Sequence, residues 1–170
     1  MTGKKIIDIL DLHPLPKEGG YYRETYRSEE TISPDALPVR YANSKSMSTA
    51  IYFLLTPDTC STLHKLPTDE IFHFYLGDPV IMLQLHPDLT SEVITLGPEI
   101  DNGRHVQVIV PKDTWQGSLL KAGGKYALLG TTMAPGFDFS EYEEGVRDSL
   151  VDQYPEQKEL IEKLTASSGG

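Results

Sequence analysis

The 170-residue sequence is poor in cysteine and contains no long apolar run. Its one cysteine, Cys60, excludes the internal disulfide framework that is typical of small secreted domains. The apolar patch IIDIL near the N-terminus is much shorter than a signal-peptide core or a membrane-spanning segment. We therefore expect a protein of the reducing cytoplasm that has no membrane partner.

Basic residues are also scarce. The chain has 15 lysines and arginines against 25 aspartates and glutamates, which gives a formal net charge of −10. A negative protein repels the phosphates of nucleic acids and of anionic lipids. We therefore expect no nucleic-acid partner, and we expect the ligand to be a small molecule.

The chain length suits one domain with a substantial core. We predict a single domain over residues 1–165 and a flexible polar tail over residues 166–170. Helices are predicted for residues 4–12, for residues 140–154 and for residues 155–164, the last with Pro155 at its first helical position.

The middle of the sequence consists of short stretches rich in β-branched and aromatic residues, separated by turns such as GDP and AGG. They follow each other closely without intervening helices, which is typical of an antiparallel β-sandwich or barrel. An earlier strand is predicted for GGYYRETYR, in which Tyr22, Glu24 and Tyr26 share one face. The other predicted strands are STAIYFLL, EIFHFYL, VIMLQLH, SEVITL, HVQVIVP, GSLLKA and KYALLGTTMAP.

The segment STLHKLPTDEIFHFYLGDP, residues 61–79, contains the candidate site. His64 lies at the end of one strand and Glu70 at the start of the next. Alternation places Glu70 on the same face as Phe72 and Phe74, so a buried Glu70 needs a polar partner. A closed barrel can bring Gln116 from a later strand to the same interior, and we predict that these three polar side chains meet around one small ligand.

Histidine and glutamate suit a divalent metal ion, but a tight site generally needs three strong ligands. The carboxamide of Gln116 is a weak ligand. We therefore expect no tightly bound metal and no other cofactor.

Two segments resemble the conserved motifs of the cupin superfamily. HKLPTDEIFHFYLG is similar to the first motif, since Glu70 and Gly77 keep its spacing and His64 matches its first histidine. Leu66 stands where the second histidine would be. PKDTWQ is similar to the second motif, but Gln116 replaces its metal-binding histidine. Two of the four usual metal ligands are therefore missing.

The chain also resembles one cupin subfamily, formerly described as domain of unknown function 985, over residues 10–164. The resemblance implies an antiparallel jelly-roll β-sandwich or barrel, with a short N-terminal helix, C-terminal helices and a pocket inside the barrel. It further implies a homodimer, and a fold shared with sugar-nucleotide epimerases, seed-storage proteins and auxin-binding proteins. It does not imply a reaction, because this scaffold carries many functions.

Carried over by motif, the ligand-binding residues are His64, Glu70 and Gln116, with Trp115 as a wall and Arg23 on the early strand. Core packing explains Trp115 as well as ligand stacking does. Arg23 fits either an edge-strand charge or anion recognition. His73 is predicted to be structural, since it lies on the strand face opposite Glu70.

The other histidines and the cysteine are predicted to have no functional role. His13, His86 and His105 lie beside turns and are predicted to be surface residues. Cys60 has no evident base partner, so we expect an inert thiol.

Two classes of function are consistent with these residues. The protein binds a small polar metabolite, such as a sugar or nucleotide derivative, without turnover. Alternatively it is an isomerase or epimerase in which His64 or Glu70 is the acid/base, with a weakly bound divalent metal as a further option. Stabilising an oxyanion would then require Gln116, Arg23 or that metal.

We predict a homodimer that forms through the early strand, because exposed strand edges favour pairing. Tyr21, Tyr22 and Tyr26 would become buried in that interface. The alternative is that this strand completes its own barrel and that its tyrosines pack internally.

Overall fold

The computed structural model describes residues 1–165, so the predicted tail lies outside the described residues. The helices are α1 (Gly3–Leu10), α2 (Arg147–Gln153) and α3 (Lys158–Lys163). The strands are β1 (His13–Pro14), β2 (Tyr21–Arg27), β3 (Thr31–Ile32), β4 (Lys45–Ser46), β5 (Thr49–Leu55), β6 (Cys60–Lys65), β7 (Glu70–Gly77), β8 (Val80–Leu85), β9 (Ser91–Leu96), β10 (Gln107–Val110), β11 (Trp115–Leu120), β12 (Ala127–Met133) and β13 (Glu143–Glu144).

Two antiparallel sheets face each other. The first has the strand order β1-β2-β5-β12-β7-β10 and the second has the order β13-β6-β11-β8-β9. The pair β3-β4 forms a small separate ribbon within the predicted irregular region. The predicted antiparallel jelly-roll sandwich is confirmed.

The space between the sheets changes character along the strands. At one end the inward residues are apolar, as with Phe72 and Phe74 on β7 and Leu129 on β12. At the other end the same two strands present Glu70 and Thr131 to the interior. The apolar end forms the main core, and the polar end opens into a cavity.

Helices cover the outer faces of both sheets. α1 packs Ile6 against Leu54 and Leu128 on the first sheet. α2 and α3 pack on the second sheet through Leu150 and Ile161. Within the described part of the chain, no helix has the length and apolar character needed to cross a membrane.

The helix predicted from residue 140 is wrong over its first half. The strand β13 occupies that region and pairs with His64 and Lys65 at the edge of the second sheet. Gly145 continues this contact, because its backbone nitrogen donates to the carbonyl of Leu63 at 2.8 Å. Strand pairing with β6 outweighs the helical propensity of these residues, which is a weak preference, and α2 begins only at Arg147.

A β-bulge in β2 changes the predicted strand faces. The register with β5 shifts between Glu24 and Tyr26, so one extra residue is accommodated there. Tyr22 and Glu24 share one face, as predicted, and that face lines the interior, but beyond the bulge Arg27 takes that face. Tyr26 is 54% exposed, which contradicts its predicted position beside Tyr22.

Candidate functional site

A cavity of about 470 Å³ lies between the sheets at their polar end. This volume is within the range of small-molecule sites. The cavity is lined by Leu15, Glu18, Tyr22, Glu24, Arg27, Thr49, Ile51, Phe53, His64, Leu66, Glu70, Thr131, Met133, Phe137, Asp138 and Phe139.

The structure brings His64, Glu70 and Gln116 together at the inner end of this cavity. Gln116 on β11 pairs directly with His64 on β6. Its side-chain nitrogen donates to Nε2 of His64 and to Oε2 of Glu70, both at 2.9 Å. Gln116 lies behind the other two side chains and contributes to a small adjoining void rather than to the main cavity wall. The ligand-binding role of the three stays a prediction.

The hydrogen bonds of His64 define its tautomer. Nδ1 lies 2.7 Å from the carbonyl of Thr62, which only accepts, so Nδ1 carries the hydrogen. Nε2 is then the acceptor for Gln116. Burial lowers the pKa of His64, and the charge of Glu70 only partly offsets this. The ring of His64 also stacks on that of Tyr142, with 5.0 Å between the ring centres. Because both of its nitrogens are already hydrogen-bonded, the neutral ring is poorly suited to act as a general base.

Glu18 also belongs to the inner end, a position that was not predicted from the sequence. Ser61 donates to Glu18 Oε1 at 2.9 Å, and Oε2 lies 3.9 Å from Nε2 of His64. Gly19 follows with φ of +93°, and a side chain there would lie 2.3 Å from the carbonyl of Cys60. This close approach, which needs glycine, holds the Glu18 turn against β6.

A sequence signal for Glu18 does exist. The acid immediately precedes the glycine pair of the segment EGGYYRETYRS. This glutamate lies in a turn that two glycines define and belongs to no strand pattern. An acid in such a turn is a candidate for a functional residue, because binding residues are often found in loops.

Glu18 and Glu70 are two buried acids with unusual titration. Burial raises the pKa of Glu18 to about 7, and the Ser61 hydrogen bond opposes the rise. Burial also raises the pKa of Glu70 to about 7, and the charge of Glu18 adds to this. His64 and the hydrogen bonds from Thr131 and Gln116 act in the opposite direction. Near neutral pH this pair can both donate and accept protons.

Two of the residues proposed from the sequence do not line the cavity. Trp115 adjoins Gln116 on one strand, so alternation turns its side chain outward. There it packs beside α2 and α3, with Nζ of Lys65 at 4.5 Å from its ring centre. Arg23 likewise points away from Tyr22 and lies 5.7 Å from the ring centre of Tyr52. Arg27 is the arginine that reaches the cavity.

The mouth of the cavity is built by Arg27 and the segment after β12. The guanidinium of Arg27 donates to both carboxylate oxygens of Glu24, at 3.0 and 2.8 Å, and to the carbonyl of Phe137 at 3.1 Å. Further along this segment, Glu141 forms an ion pair with the buried Nζ of Lys45 at 2.5 Å. The mouth is therefore attached to both β2 and β4.

The side chains that were predicted to lie outside the site are not among the residues that line the cavity. His73 is on the outer face of β7, where Nε2 meets Oγ1 of Thr132 at 3.0 Å. His13 and His105 are exposed, and His86 is partly buried beside Glu92. Burial raises the pKa of the Cys60 thiol, which disfavours the reactive thiolate.

The donor set does not fit the metal centre that the cupin motifs imply. Leu66 supplies no ligand, and the nitrogen of Gln116 points at His64 Nε2, the atom that would bind a metal. Across residues 1–165, no three histidine, cysteine, aspartate or glutamate side chains are arranged to hold an ion. A site of this composition lacks the three strong ligands of tight binding.

Comparisons with known proteins agree with this fold. The sequence profile of the family described as "Cupin superfamily (DUF985)" matches residues 4–144. The chain is 29% identical over 136 residues to the uncharacterized protein YML079W of Saccharomyces cerevisiae. The aligned region covers 74% of this chain and 67% of the relative.

Solved structures give the same result. Protein SO0799 from Shewanella oneidensis superposes with a TM-score of 0.86 at 29% identity, covering 99% of both chains. A hypothetical protein from Leishmania major has a TM-score of 0.86 at 28% identity, covering 98% of this chain and all of its own.

Oxalate decarboxylase of Bacillus subtilis is a more distant neighbour, with a TM-score of 0.53 at 16% identity over 91% of this chain and 38% of that enzyme. At that identity the likeness concerns the fold alone. The profile match, by contrast, extends over most of the sequence and includes His64 and Glu70. The chain therefore belongs to the DUF985 family of the cupin superfamily.

Proposed function

We propose that this protein binds a small polyhydroxylated metabolite, such as a sugar, in the cavity between its sheets. The observation that carries the proposal is the inner end of the cavity, where Glu18 and Glu70 lie beside a neutral His64. Polar groups concentrated at one end of an otherwise apolar cavity are typical of ligand sites, because they orient the bound molecule.

The lining matches the two surfaces of a sugar. Carboxyl groups with a pKa of about 7 both donate and accept hydrogen bonds near neutral pH, as sugar hydroxyls do. Leu15, Ile51 and Phe53 provide apolar walls for the C–H faces. The hydroxyl groups of a bound sugar would contact the carboxyl groups, and its C–H faces would contact the apolar walls.

A nucleotide derivative fits this lining less well. Phosphates are bound by arginine, lysine or backbone N–H groups, and Arg27 is the one basic side chain among the lining residues. Its guanidinium is already paired with Glu24. Of the two predicted classes of ligand, sugars are therefore favoured over nucleotide derivatives.

The alternative function is an isomerase or epimerase that acts on a sugar-like substrate. The raised pKa of Glu70, about 7, is the observation in its favour, since general acid–base catalysis is most effective with a pKa near the working pH. Glu18 joins Glu70 as the acid/base candidate, and His64 becomes a positioning residue because both of its nitrogens are occupied.

Binding is tested by thermal unfolding in the presence of monosaccharides, sugar alcohols and nucleotides. A ligand present at 100 times its Kd stabilises the folded state by about 2.7 kcal/mol. The variant Ile51→Trp places a bulky side chain in the cavity and is expected to lose the stabilisation. Val93→Trp, at a 48% exposed position on β9, is the matched control and retains it. Stabilisation that persists in Ile51→Trp would place the ligand elsewhere.

Turnover is tested with any sugar that binds. An isomerase or epimerase that removes a proton from carbon through an acid/base residue exchanges that hydrogen with solvent, so incubation in deuterated water followed by NMR detects it. Glu70→Gln and Glu18→Gln are expected to abolish the exchange while the fold persists. Binding without exchange in the wild-type protein supports a binding function alone.

A further inference from the structure

We infer that the bound metabolite carries a positively charged amino group, which lies between Glu18 and Glu70 at the inner end of the cavity. The inference rests on the proposed function and names the chemical class of its ligand: a small hydroxylated amine.

The charges that line the cavity are strongly unbalanced. Four carboxyl groups line it against one basic group, and they belong to Glu18, Glu24, Glu70 and Asp138. The basic group is Arg27, which is paired with Glu24 at the mouth. The two inner carboxyl groups therefore have no positive side chain among the lining residues.

The contacts of the inner carboxyl groups leave room for a ligand. Glu18 accepts a side-chain hydrogen bond from Ser61, and Glu70 accepts side-chain hydrogen bonds from Gln116, at Oε2, and from Thr131. An ionised carboxylate has about four acceptor positions, so both groups retain acceptor capacity. His64 cannot neutralise them, because its ring is neutral and both nitrogens are bonded.

Burial of these carboxylates without a counter-ion is unfavourable. Glu18 is only 12% exposed and Glu70 only 8%. An ammonium group between them would pair with both charges and donate up to three hydrogen bonds. Neutral or anionic groups at the same place would leave the carboxylates uncompensated.

The rest of the cavity is large enough for the remainder of the ligand. The volume of about 470 Å³ accommodates a hydroxylated carbon chain in addition to the amino group.

Binding of the amine should release protons. The titratable and charged groups that share the cavity with the inner pair are Tyr22, Glu24, Arg27, His64, Asp138 and, behind His64, Tyr142. The pKa of each inner carboxyl group is about 7 without ligand, and a bound ammonium lowers both. Affinity for the amine should therefore rise about tenfold or more from pH 6 to pH 8, as the carboxyl groups ionise.

The test compares three probes that share one six-carbon hydroxylated chain: sorbitol, 1-amino-1-deoxysorbitol and gluconate. They differ at one terminal carbon, which is neutral, cationic or anionic. Calorimetric titration of the full chain, with EDTA present, is expected to show the amine binding at least about tenfold more tightly than sorbitol, since a buried charge pair contributes a kilocalorie or more. Repeating the titration in buffers of different ionisation enthalpy measures the released protons.

Variants locate the amino group. Glu18→Gln and Glu70→Gln are each expected to reduce the amine's affinity about tenfold more than they reduce that of sorbitol, because sorbitol loses hydrogen bonds alone whereas the amine also loses a charge pair. Glu159→Gln, an exposed acid on α3, is the matched control and should leave every affinity unchanged.

The outcomes separate the two proposals. If none of the three probes binds, the proposed function and the inference both fail. If sorbitol or gluconate binds as tightly as the amine, the proposed function stands and the inference is overturned. Amine binding that is unaffected by Glu18→Gln and Glu70→Gln also overturns it.

Discussion

Gln116 lies directly opposite His64 on the neighbouring strand, and its side-chain nitrogen donates to His64 Nε2 at 2.9 Å. The same nitrogen donates to Glu70 at 2.9 Å. Where the cupin motif has a metal-binding histidine, this chain has an amide that joins the two neighbouring polar residues directly. The inner end of the cavity is thus organised by hydrogen bonds between side chains.

Replacement of Gln116 by alanine should destabilise the protein. The change removes the side-chain donor of His64 Nε2 and one of the donors of Glu70, and we expect the free energy of unfolding to fall by about 3 kcal/mol. Urea unfolding at pH 7 measures it. Gln107→Ala removes an exposed glutamine and should change the value by less than about 0.5 kcal/mol. Equal effects of the two substitutions would contradict the central role of Gln116.

Glu18 should make the protein less stable as the pH rises. Its folded pKa is about 7 against 4.5 in the unfolded chain, so between these values the folded state binds more protons. Stability from this group is complete below pH 4.5 and is lost as the pH rises to about 7. As the pH rises from 5 to 8, the free energy of unfolding of Glu18→Gln should therefore increase by about 2 kcal/mol relative to that of the wild type.

The measurement for Glu18 is a series of urea unfolding curves at pH 5, 6, 7 and 8, with Glu159→Gln as the exposed control. His64 has the opposite sign, because its pKa is lowered and its contribution is lost as the pH falls through its unfolded value. Comparison of each variant with wild type removes this background. A pH-independent difference for Glu18→Gln would show that its carboxyl group titrates normally.

The purified protein should contain far less than one equivalent of transition metal. Leu66 and Gln116 occupy two of the four motif positions, and neither supplies a strong ligand. Elemental analysis after purification without added metal checks this. The double substitution Leu66→His and Gln116→His restores the missing ligands and should raise the content to about one equivalent. A stoichiometric ion in the wild-type protein would contradict the prediction.

The homodimer predicted from the sequence stays a prediction, with a smaller set of interface residues. Tyr21 and Tyr22 pack against hydrophobic clusters of their own chain, whereas Tyr26 is 54% exposed. β1 pairs only with the first two residues of β2, which leaves the rest of that edge open for pairing.

Sedimentation velocity at micromolar concentration tests the dimer. Tyr26→Asp should shift the protein toward the monomer, because it places a charge at the proposed interface. Val93→Asp, on the other sheet at a similarly exposed position, should not. A wild-type monomer mass that is independent of concentration would refute the prediction.

The sequence by itself determined the fold class and one face of the site. Strands are recognised by a period of two, which is local, so the sandwich and the shared face of Glu70 with Phe72 and Phe74 were readable without coordinates. Motif spacing likewise identified His64 and Gln116, since both stand at defined positions of strands.

Only the tertiary structure decided which other residues reach the cavity. Glu18 lies in a turn with no periodicity, and it meets Ser61 across 43 positions of sequence because of how the chain folds back. The bulge in β2 exchanges the faces of Tyr26 and Arg27, and β13 replaces a predicted helix because β6 offers it an edge. These outcomes depend on contacts between distant segments, whose energies exceed local propensity and leave no local pattern.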